Sequence, residues 1–451
     1  MALGFFAGCS LIPHYQRPKA PVASQWPDGA AEKGMAAASE ISWRTFFSDA
    51  RLKKLVELAL ANNRDLRIAL LNVEQTRAQY RIFNYALLPS IDGQAHMLRE
   101  HDVSSGGTYT TNSRYEATLD ASYEVDLFGR IRSLKAQAVE QYLATKEAGR
   151  SAQITLIAEV AIQYLNACAL DEEVALSQQT LKAVEAYHEL IKNSYDLGNT
   201  SALDLHSAES QMQNARANIA SYRRQRMQAD NALALLIGQP LPKDLPPAPP
   251  LTAQPLLTDL SPGAPSDLLE LRPDIIAAEH QLKAANANIG AVRANFFPKI
   301  TLTGAAGTAS VKLAELFMPG SGIWNFSPQV SIPIFDRNAN AANLDVAHTQ
   351  KSIQVAQYEK TIQTAFREVA DALQARGTYN DQLNAQQALV KAQDARYQLA
   401  DARYRNGVDS YLTVLTAQQD LYAAQQSLIL VEFARLSNLI SLYKALGGGW
   451  Q

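Results

Sequence analysis

No proline interrupts this chain after Pro333, and between Arg337 and Asn406 the only glycine is Gly377. Seventy such residues in one helix, rising 1.5 Å each, span about 105 Å, far more than an ordinary globular domain needs. Val355, Tyr358, Ile362, Ala365, Val369 and Ala372 follow alternating steps of three and four, and so do Val390, Gln393, Tyr397, Ala400 and Tyr404. That period of 3.5 residues is a coiled-coil seam and not the broader apolar face of a globular helix. The seam is rich in small residues and glutamine, so neighbouring helices can lie close while the opposite face stays wet. Gly407 then supplies a turn, and a second helix runs back toward Leu446.

The pattern occurs twice, at a fixed offset of 209 residues: Pro89 matches Pro298, Tyr195 matches Tyr404, Gly198 matches Gly407, Leu203 matches Leu412 and Gly238 matches Gly447. Register held over most of each half argues for duplication of one structural unit. The first copy has its own long rod from Ile131 to Leu197, with a seam at Ile154, Ile157, Ala161, Tyr164 and Cys168, then at Leu181, Val184, His188, Ile191 and Tyr195. Each half therefore reads helix, strands, long helix, turn, helix.

With 41 basic and 44 acidic residues the net charge is −3, and both signs are scattered. Neither nucleic acid nor an anionic surface is implied as a partner. No run of about 18 apolar residues exists to make a transmembrane helix, but β-barrels leave a much weaker hydropathy signal. Two cysteines exclude a disulfide framework. Cys168 reads as a small buried hydrophobe on a seam. Cys9, in Phe6-Ala-Gly-Cys-Ser, resembles a bacterial lipobox and is the expected lipidation site. Only eight residues precede it, too few for a signal peptide, so a longer natural leader is expected.

The boundaries read as follows. Residues 1–50 hold the lipobox and an extended arm, anchored by Trp43 to Phe47, with Asp49 capping a helix that runs to Leu88. Residues 51–238 form the first repeat, with a β-hairpin at 90–127. Residues 239–265 contain nine prolines and make a semi-rigid strap. Residues 266–451 form the second repeat, with a hairpin at 299–335, and Pro273 opens its first long helix. The clearest strand runs Tyr115 to Leu127, apolar at every odd position and polar between. Trp324, Phe326, Pro328, Val330, Ile332 and Ile334 line one side of another, where two prolines argue against a regular ladder. Such strands exceed the 9–11 residues or so that cross a bilayer, and Tyr109, Tyr115, Trp324 and Phe326 suit an interfacial girdle. Four strands alone would leave two bare edges in lipid, so the chain must oligomerise to close a barrel.

The repeat, the Cys9-Ser-Leu-Ile-Pro-His-Tyr-Gln-Arg-Pro18 start, Asp126-Leu-Phe-Gly-Arg130, Leu271-Arg-Pro-Asp-Ile275, Ala284-Ala-Asn-Ala-Asn-Ile-Gly290 and the Tyr443-Lys-Ala-Leu-Gly-Gly-Gly-Trp450 ending together resemble the TolC-like outer-membrane factors. Within them the chain is similar to the OprM-type lipoproteins of resistance–nodulation–division (RND) multidrug efflux pumps. The resemblance implies a mainly α fold with a transmembrane β-barrel: a homotrimer with a 12-stranded barrel in the outer membrane and a periplasmic helical tunnel. It implies a passive exit duct, not an enzyme, with no cofactor, whose partners are a periplasmic adaptor, an inner-membrane RND pump and outer-membrane lipid. A duct for type I protein secretion or metal efflux shares the architecture. A soluble coiled-coil protein is the alternative from another class.

The resemblance also implies where the duct is gated. The hairpin tips expected to meet the adaptor are Leu197, Gly198 and Asn199, and Asn406, Gly407 and Val408. Relatives carry a leucine and, four residues on, an acidic residue facing the axis. Leu412 matches the first, but the second position is Thr416, which puts a carboxylate ring in doubt. Asp409, Asp420, Arg403 and Arg405 are nearby charges that could replace it, Asp196 or Asp409 being the expected partners of the arginines. The seven histidines fall in no metal-ligand spacing, and there is no phosphate loop or nucleophile elbow. Paired acids such as Glu172 and Glu173 read as helix-surface charges.

Overall fold

A computed structural model of the chain describes residues 10–26, 38–103, 106–254, 256, 260 and 265–449. The first half runs α1 (Trp43–Phe46), α2 (Ala50–Asn62), α3 (Arg64–Tyr85), β1 (Ser90–Val103), β2 (Tyr109–Val125), α4 (Arg130–Asp196) and α5 (Ala202–Ile237). The second runs α6 (Leu268–Leu271), α7 (Pro273–Ala294), β3 (Lys299–Ser310), β4 (Gly322–Ser331), α8 (Arg337–Arg405) and α9 (Tyr411–Ala445). The duplication holds to the residue: α7 begins and ends 209 positions after α3, β3 begins 209 after β1, α8 ends 209 after α4, and α9 begins 209 after α5.

Two compact units form. One contains residues 10–20, 71–146 and 277–360, and holds the strands. Its sheet is wholly antiparallel, in the order β1-β2-β3-β4. β1 and β2 pair from Ser90↔Ser122 to Val103↔Tyr109, so both outrun the sequence expectation at this end. The ladder through Pro328 is regular, with Leu302 as its partner; the expected disruption is absent on this side of β4, because a proline's missing donor interrupts a ladder only on the side its nitrogen faces. The strand stops at Ser331, before Pro333, so Ile332 and Ile334 lie outside it. The arm of residues 10–20 has no regular structure and lies along α7. Tyr15 and Arg17 donate to Glu279, whose side chain is 5% exposed, with Arg17 bidentate at 2.6 and 3.1 Å. Asn286 donates to the Pro13 carbonyl at 2.8 Å. Gly290 is required there, since a Cβ would lie 2.6 Å from Ile12.

The other unit contains residues 21–26, 38–70, 147–276 and 361–449 among those described. Its core gathers Trp43, Phe46, Phe47, Leu52, Leu55 and Tyr164, all nearly inaccessible. Phe46 stacks on Tyr443 at 4.0 Å, and Asp49 caps α2 through the Arg51 N–H while accepting from the Tyr164 hydroxyl. The proline-rich strap is fastened by Arg51 to the Pro246 carbonyl and by the Leu251 N–H to Glu172. Glu172 and Glu173 are therefore not plain surface charges. Glu173 is buried beside Gln426 and Tyr222, and burial raises its pKa above the carboxylate range.

The first stretch of each seam is largely buried, and the later stretches are buried only in part. Ile154, Ile157, Ala161, Tyr164 and Cys168 are buried on α4, as are Tyr358, Ile362, Ala365, Val369 and Ala372 on α8. Further along α4 it is Tyr187, not His188, that is buried, and Tyr195 is exposed. A straight helix drifts about 20° per heptad against a 3.5 repeat, enough to turn the neighbouring position inward. The first helix is also not continuous. Asn63, extended at φ −60° and ψ 132°, ends α2, and its carboxamide oxygen caps α3 at the Leu66 N–H, 2.8 Å away.

Candidate functional site

Residues directly opposite in an antiparallel ladder share a face, so the register sorts the sheet completely. Ile91, Met97, Tyr115, Leu119, Tyr123, Val125, Ile300, Leu302, Trp324, Phe326 and Val330 fall on one side. Asp92, Gln94, Glu116, Thr118, Asp120, Glu124, Lys299, Thr301, Asn325 and Gln329 fall on the other. The charges of the polar face are partly paired: Glu116 with Arg114 and His96, and Glu124 with Lys299 and Arg130. As far as the rung of Met97 and Tyr115 one face is apolar and the other largely polar, the division a membrane barrel requires.

In the second unit the two helical turns are built alike. Gly198 and Gly407 adopt φ +77° and +72°, a left-handed conformation that glycine enters without steric cost. Asn199 N–H donates to the Ser194 carbonyl and Val408 N–H to that of Arg403, each at 2.8–2.9 Å. Both are Schellman closures. Beneath the second turn Tyr187, Ile191, Ala208, Ala400, Tyr411, Val414, Leu415 and Ala417 form a core, with Tyr397 and Tyr404 packed against it. Burial, with Tyr404 and Asp204 nearby, pushes the Tyr411 hydroxyl up to about 12, so it is neutral at any physiological pH.

The fastenings differ. At the first turn Ser201 caps α5 through the Asp204 N–H, and the Thr200 and Ser201 hydroxyls donate to the Asp204 carboxylate. At the second, Ser410 makes no side-chain cap. Instead Asp409 accepts two hydrogen bonds from Arg403, at 2.6 and 3.0 Å. That guanidinium holds the Asp409 carboxyl below the usual carboxylate range.

The structure thus brings Arg403 and Asp409 together. Arg405 instead meets Asp401 at 2.9 Å, and Asp401 also accepts from the Tyr187 hydroxyl. Leu412 is 66% exposed. Thr416, one turn along the same face, spends its hydroxyl on the Leu412 carbonyl at 2.9 Å, which leaves that stretch apolar and uncharged. Leu197 and Val408 are exposed at the two turns, as is Leu203, the repeat counterpart of Leu412. Cys9 lies outside the described residues. Sequence reasoning passed over Tyr187, Asp401 and Tyr411. An aspartate four residues ahead of Arg405 on a helix was the signal available for Asp401.

The family profile described as outer membrane efflux protein matches residues 55–239 and again 264–448, two segments offset by the same 209 positions. The toluene efflux pump outer membrane protein TtgF of Pseudomonas putida is 50% identical over 456 residues, covering 98% of this chain and 95% of the relative. The outer membrane protein OprJ of Pseudomonas aeruginosa is 44% identical over 446 residues, covering 98% and 93%. Among solved structures, the open state of the Neisseria gonorrhoeae MtrE outer membrane channel superposes with a TM-score of 0.91 at 40% identity, covering 98% of this chain and 99% of that one. These neighbours leave no room for a soluble coiled coil with incidental strands.

Proposed function

This chain belongs to the outer membrane efflux protein family, and from that premise we propose that it is the exit duct of a tripartite RND-type efflux pump, working as a homotrimer. The observation that carries the reading is the two-faced sheet. Four strands present hydrocarbon-compatible side chains on one side and water-compatible ones on the other, and their outer edges, β1 and β4, have no strand partner among the described residues of the chain. Unpaired edges cannot stay open in lipid. Three copies, with twelve strands, close one barrel around the polar faces.

The long helical hairpins supply the periplasmic tunnel, and the duct does no chemistry on its cargo. As the outer-membrane component it receives cargo from an inner-membrane pump through a periplasmic adaptor. The name of TtgF, a toluene efflux pump component, supports small toxic compounds as the cargo class. Leu197, Gly198, Asn199, Asn406, Gly407 and Val408 form the adaptor-contacting tips. Leu412 lines the constriction, closing by contact between three apolar side chains and exclusion of water. Arg403–Asp409 and Arg405–Asp401 brace the turn beside it. Exposed pairs of this kind are weak and screened by salt, which suits a gate that an adaptor opens. Cys9 carries the lipid anchor, and intact-mass measurement of the native membrane-extracted protein tests that directly.

Single-channel recording in a planar bilayer tests the duct. The protein should insert with discrete conductance steps, and Leu412→Ala should raise the step size severalfold. Absence of any conducting step from membrane-inserted protein would overturn the reading. An unchanged step in Leu412→Ala would move the constriction elsewhere.

A further inference from the structure

The loop joining β3 to β4 carries a concentration of exposed apolar side chains that the duct does not use. Val311, Leu313, Phe317 and Met318 are all well exposed, Phe317 at 78%. Four large apolar groups within eight residues would be a costly surface to leave in water. The segment joining β1 to β2 is the opposite: Ser104, Ser105, Gly106, Gly107 and Thr108 are polar or glycine.

The register gives the level at which the apolar loop sits. Ser310, the last residue of β3, lies on the rung of Tyr115 and Met97. Beyond that rung the same face of β1 continues with Arg99 and His101, so the apolar band ends there. Trp324, 80% exposed on that face, pairs with Ala306 just below the hairpin end, the position of an interfacial aromatic. The loop thus leaves the sheet at the outer rim of the hydrocarbon band, continuous with it.

Its backbone is also prepared for that environment. Glu315 N–H donates to the Lys312 carbonyl, Met318 N–H to that of Glu315 and Ser321 N–H to that of Met318, at 3.0 to 3.2 Å. The Ser321 hydroxyl bonds the Leu316 and Met318 carbonyls at 2.8 Å, and Gly320 turns the chain at φ +95°. Leu316 is buried, and Lys312 is paired with Glu315 at 2.9 Å. A polar loop needs no such internal bonding, because water satisfies its backbone; a segment entering lipid does.

We propose that the Val311–Ser321 loop is a membrane foot. Phe317, Met318, Leu313 and Val311 insert into the outer leaflet while the Lys312–Glu315 pair stays at headgroup level, seating the barrel at a fixed depth. The inference rests on the reading that the Trp324 face of the sheet meets lipid. The occupant is lipid and not a second copy of the chain, because the loop continues the lipid-facing band.

The test uses the full-length protein in phosphatidylcholine vesicles whose acyl chains carry bromine. Trp324→Phe with Phe317→Trp, compared with Trp324→Phe alone, isolates the emission of residue 317. That emission should be quenched at least twofold by the brominated chains, matching Trp324 in the unaltered protein, and shielded from aqueous acrylamide. If residue 317 escapes bromine while Trp324 is quenched, the foot is overturned and the barrel reading stands. Acrylamide access would then mean a loop in water, and acrylamide protection a loop covered by another copy. If Trp324 also escapes, the lipid-facing assignment falls, and the foot with it. An unaltered-protein check needs no variant: hydroxyl radicals generated in water should oxidise Met318 as slowly as Met97 on the apolar face. Oxidation of Met318 many-fold faster than Met97 overturns the proposal.

Discussion

The two halves of the chain place most of their helix ends 209 residues apart yet fasten them with different chemistry. Where α5 ends against the α2–α3 break, Asn63 donates to the Leu236 carbonyl at 2.8 Å. At the equivalent place in the second half, Arg272 donates to the Ala445 carbonyl at 3.0 Å and also grips Asp274 and Glu368. The turns repeat the contrast, with hydroxyl caps at Ser201 and Thr200 in the first half and the Arg403–Asp409 pair in the second. Duplication kept what the fold needs geometrically, the left-handed glycines and the helix ends. Side chains that merely lock those ends were free to diverge, and the second half became the charged one.

The glycines offer the largest break. A Cβ on Gly238, at φ +76°, would sit 2.3 Å from the Asn62 carbonyl oxygen, whereas one on Gly447, at φ +80°, would meet the Leu271 oxygen at 3.0 Å. Gly238→Ala should therefore cost on the order of 4 kcal/mol, by steric displacement of backbone. Gly447→Ala should cost about 1–2 kcal/mol, mostly for the left-handed conformation. Denaturant unfolding in detergent, followed by helical signal, ranks the two. Equal losses would mean the junctions are not distinct.

Next come the side chains at those junctions. Arg272 is 8% exposed, and its removal leaves two carboxylates without their partner, so Arg272→Ala should cost about 3 kcal/mol. Asn63→Ala removes a helix cap and one carbonyl contact, worth about 1–2 kcal/mol. Arg272→Lys should rescue only part of the loss, since a single ammonium cannot serve both carboxylates and the carbonyl with a planar fork.

The turns give the smallest effect, read locally by amide hydrogen exchange. Asp409 has its folded pKa depressed by Arg403. Its contribution is therefore fully present above the unfolded value of about 3.9 and is lost as pH falls through the lower folded one. Exchange at residues 405–410 should quicken as pH drops below about 4, once corrected for intrinsic rates, and Asp409→Asn should abolish that step. Raised salt should loosen the same segment more than residues 197–201, because screening weakens the exposed ion pair.

Much of this was legible in the sequence because it rests on periodicity. The α8 seam, the strict alternation of β2 and the offset that ties Gly198 to Gly407 are direct imprints of packing geometry. The misses share a cause: residues whose role depends on partners far along the chain. The α2–α3 break at Asn63 carries no proline, although its repeat counterpart is the Arg272–Pro273 step, where one stands. Arg99 to Asp102 extend β1 beyond the apolar band, where both faces are polar and alternation vanishes. Pro328 argues against a ladder from composition alone, whereas its ladder to β3 is intact. At the turn, Asp409 was evident beside the arginines, but the tyrosine core beneath it assembles from four helices and left no local pattern.

The central claim is that four strands per chain are completed by other copies of the same chain. Native mass spectrometry of the detergent-extracted protein tests it most directly. A 49.3 kDa chain should appear almost entirely as assemblies of three, near three times that mass plus any lipid anchors. A dominant monomer or dimer retaining its strand content would contradict the account.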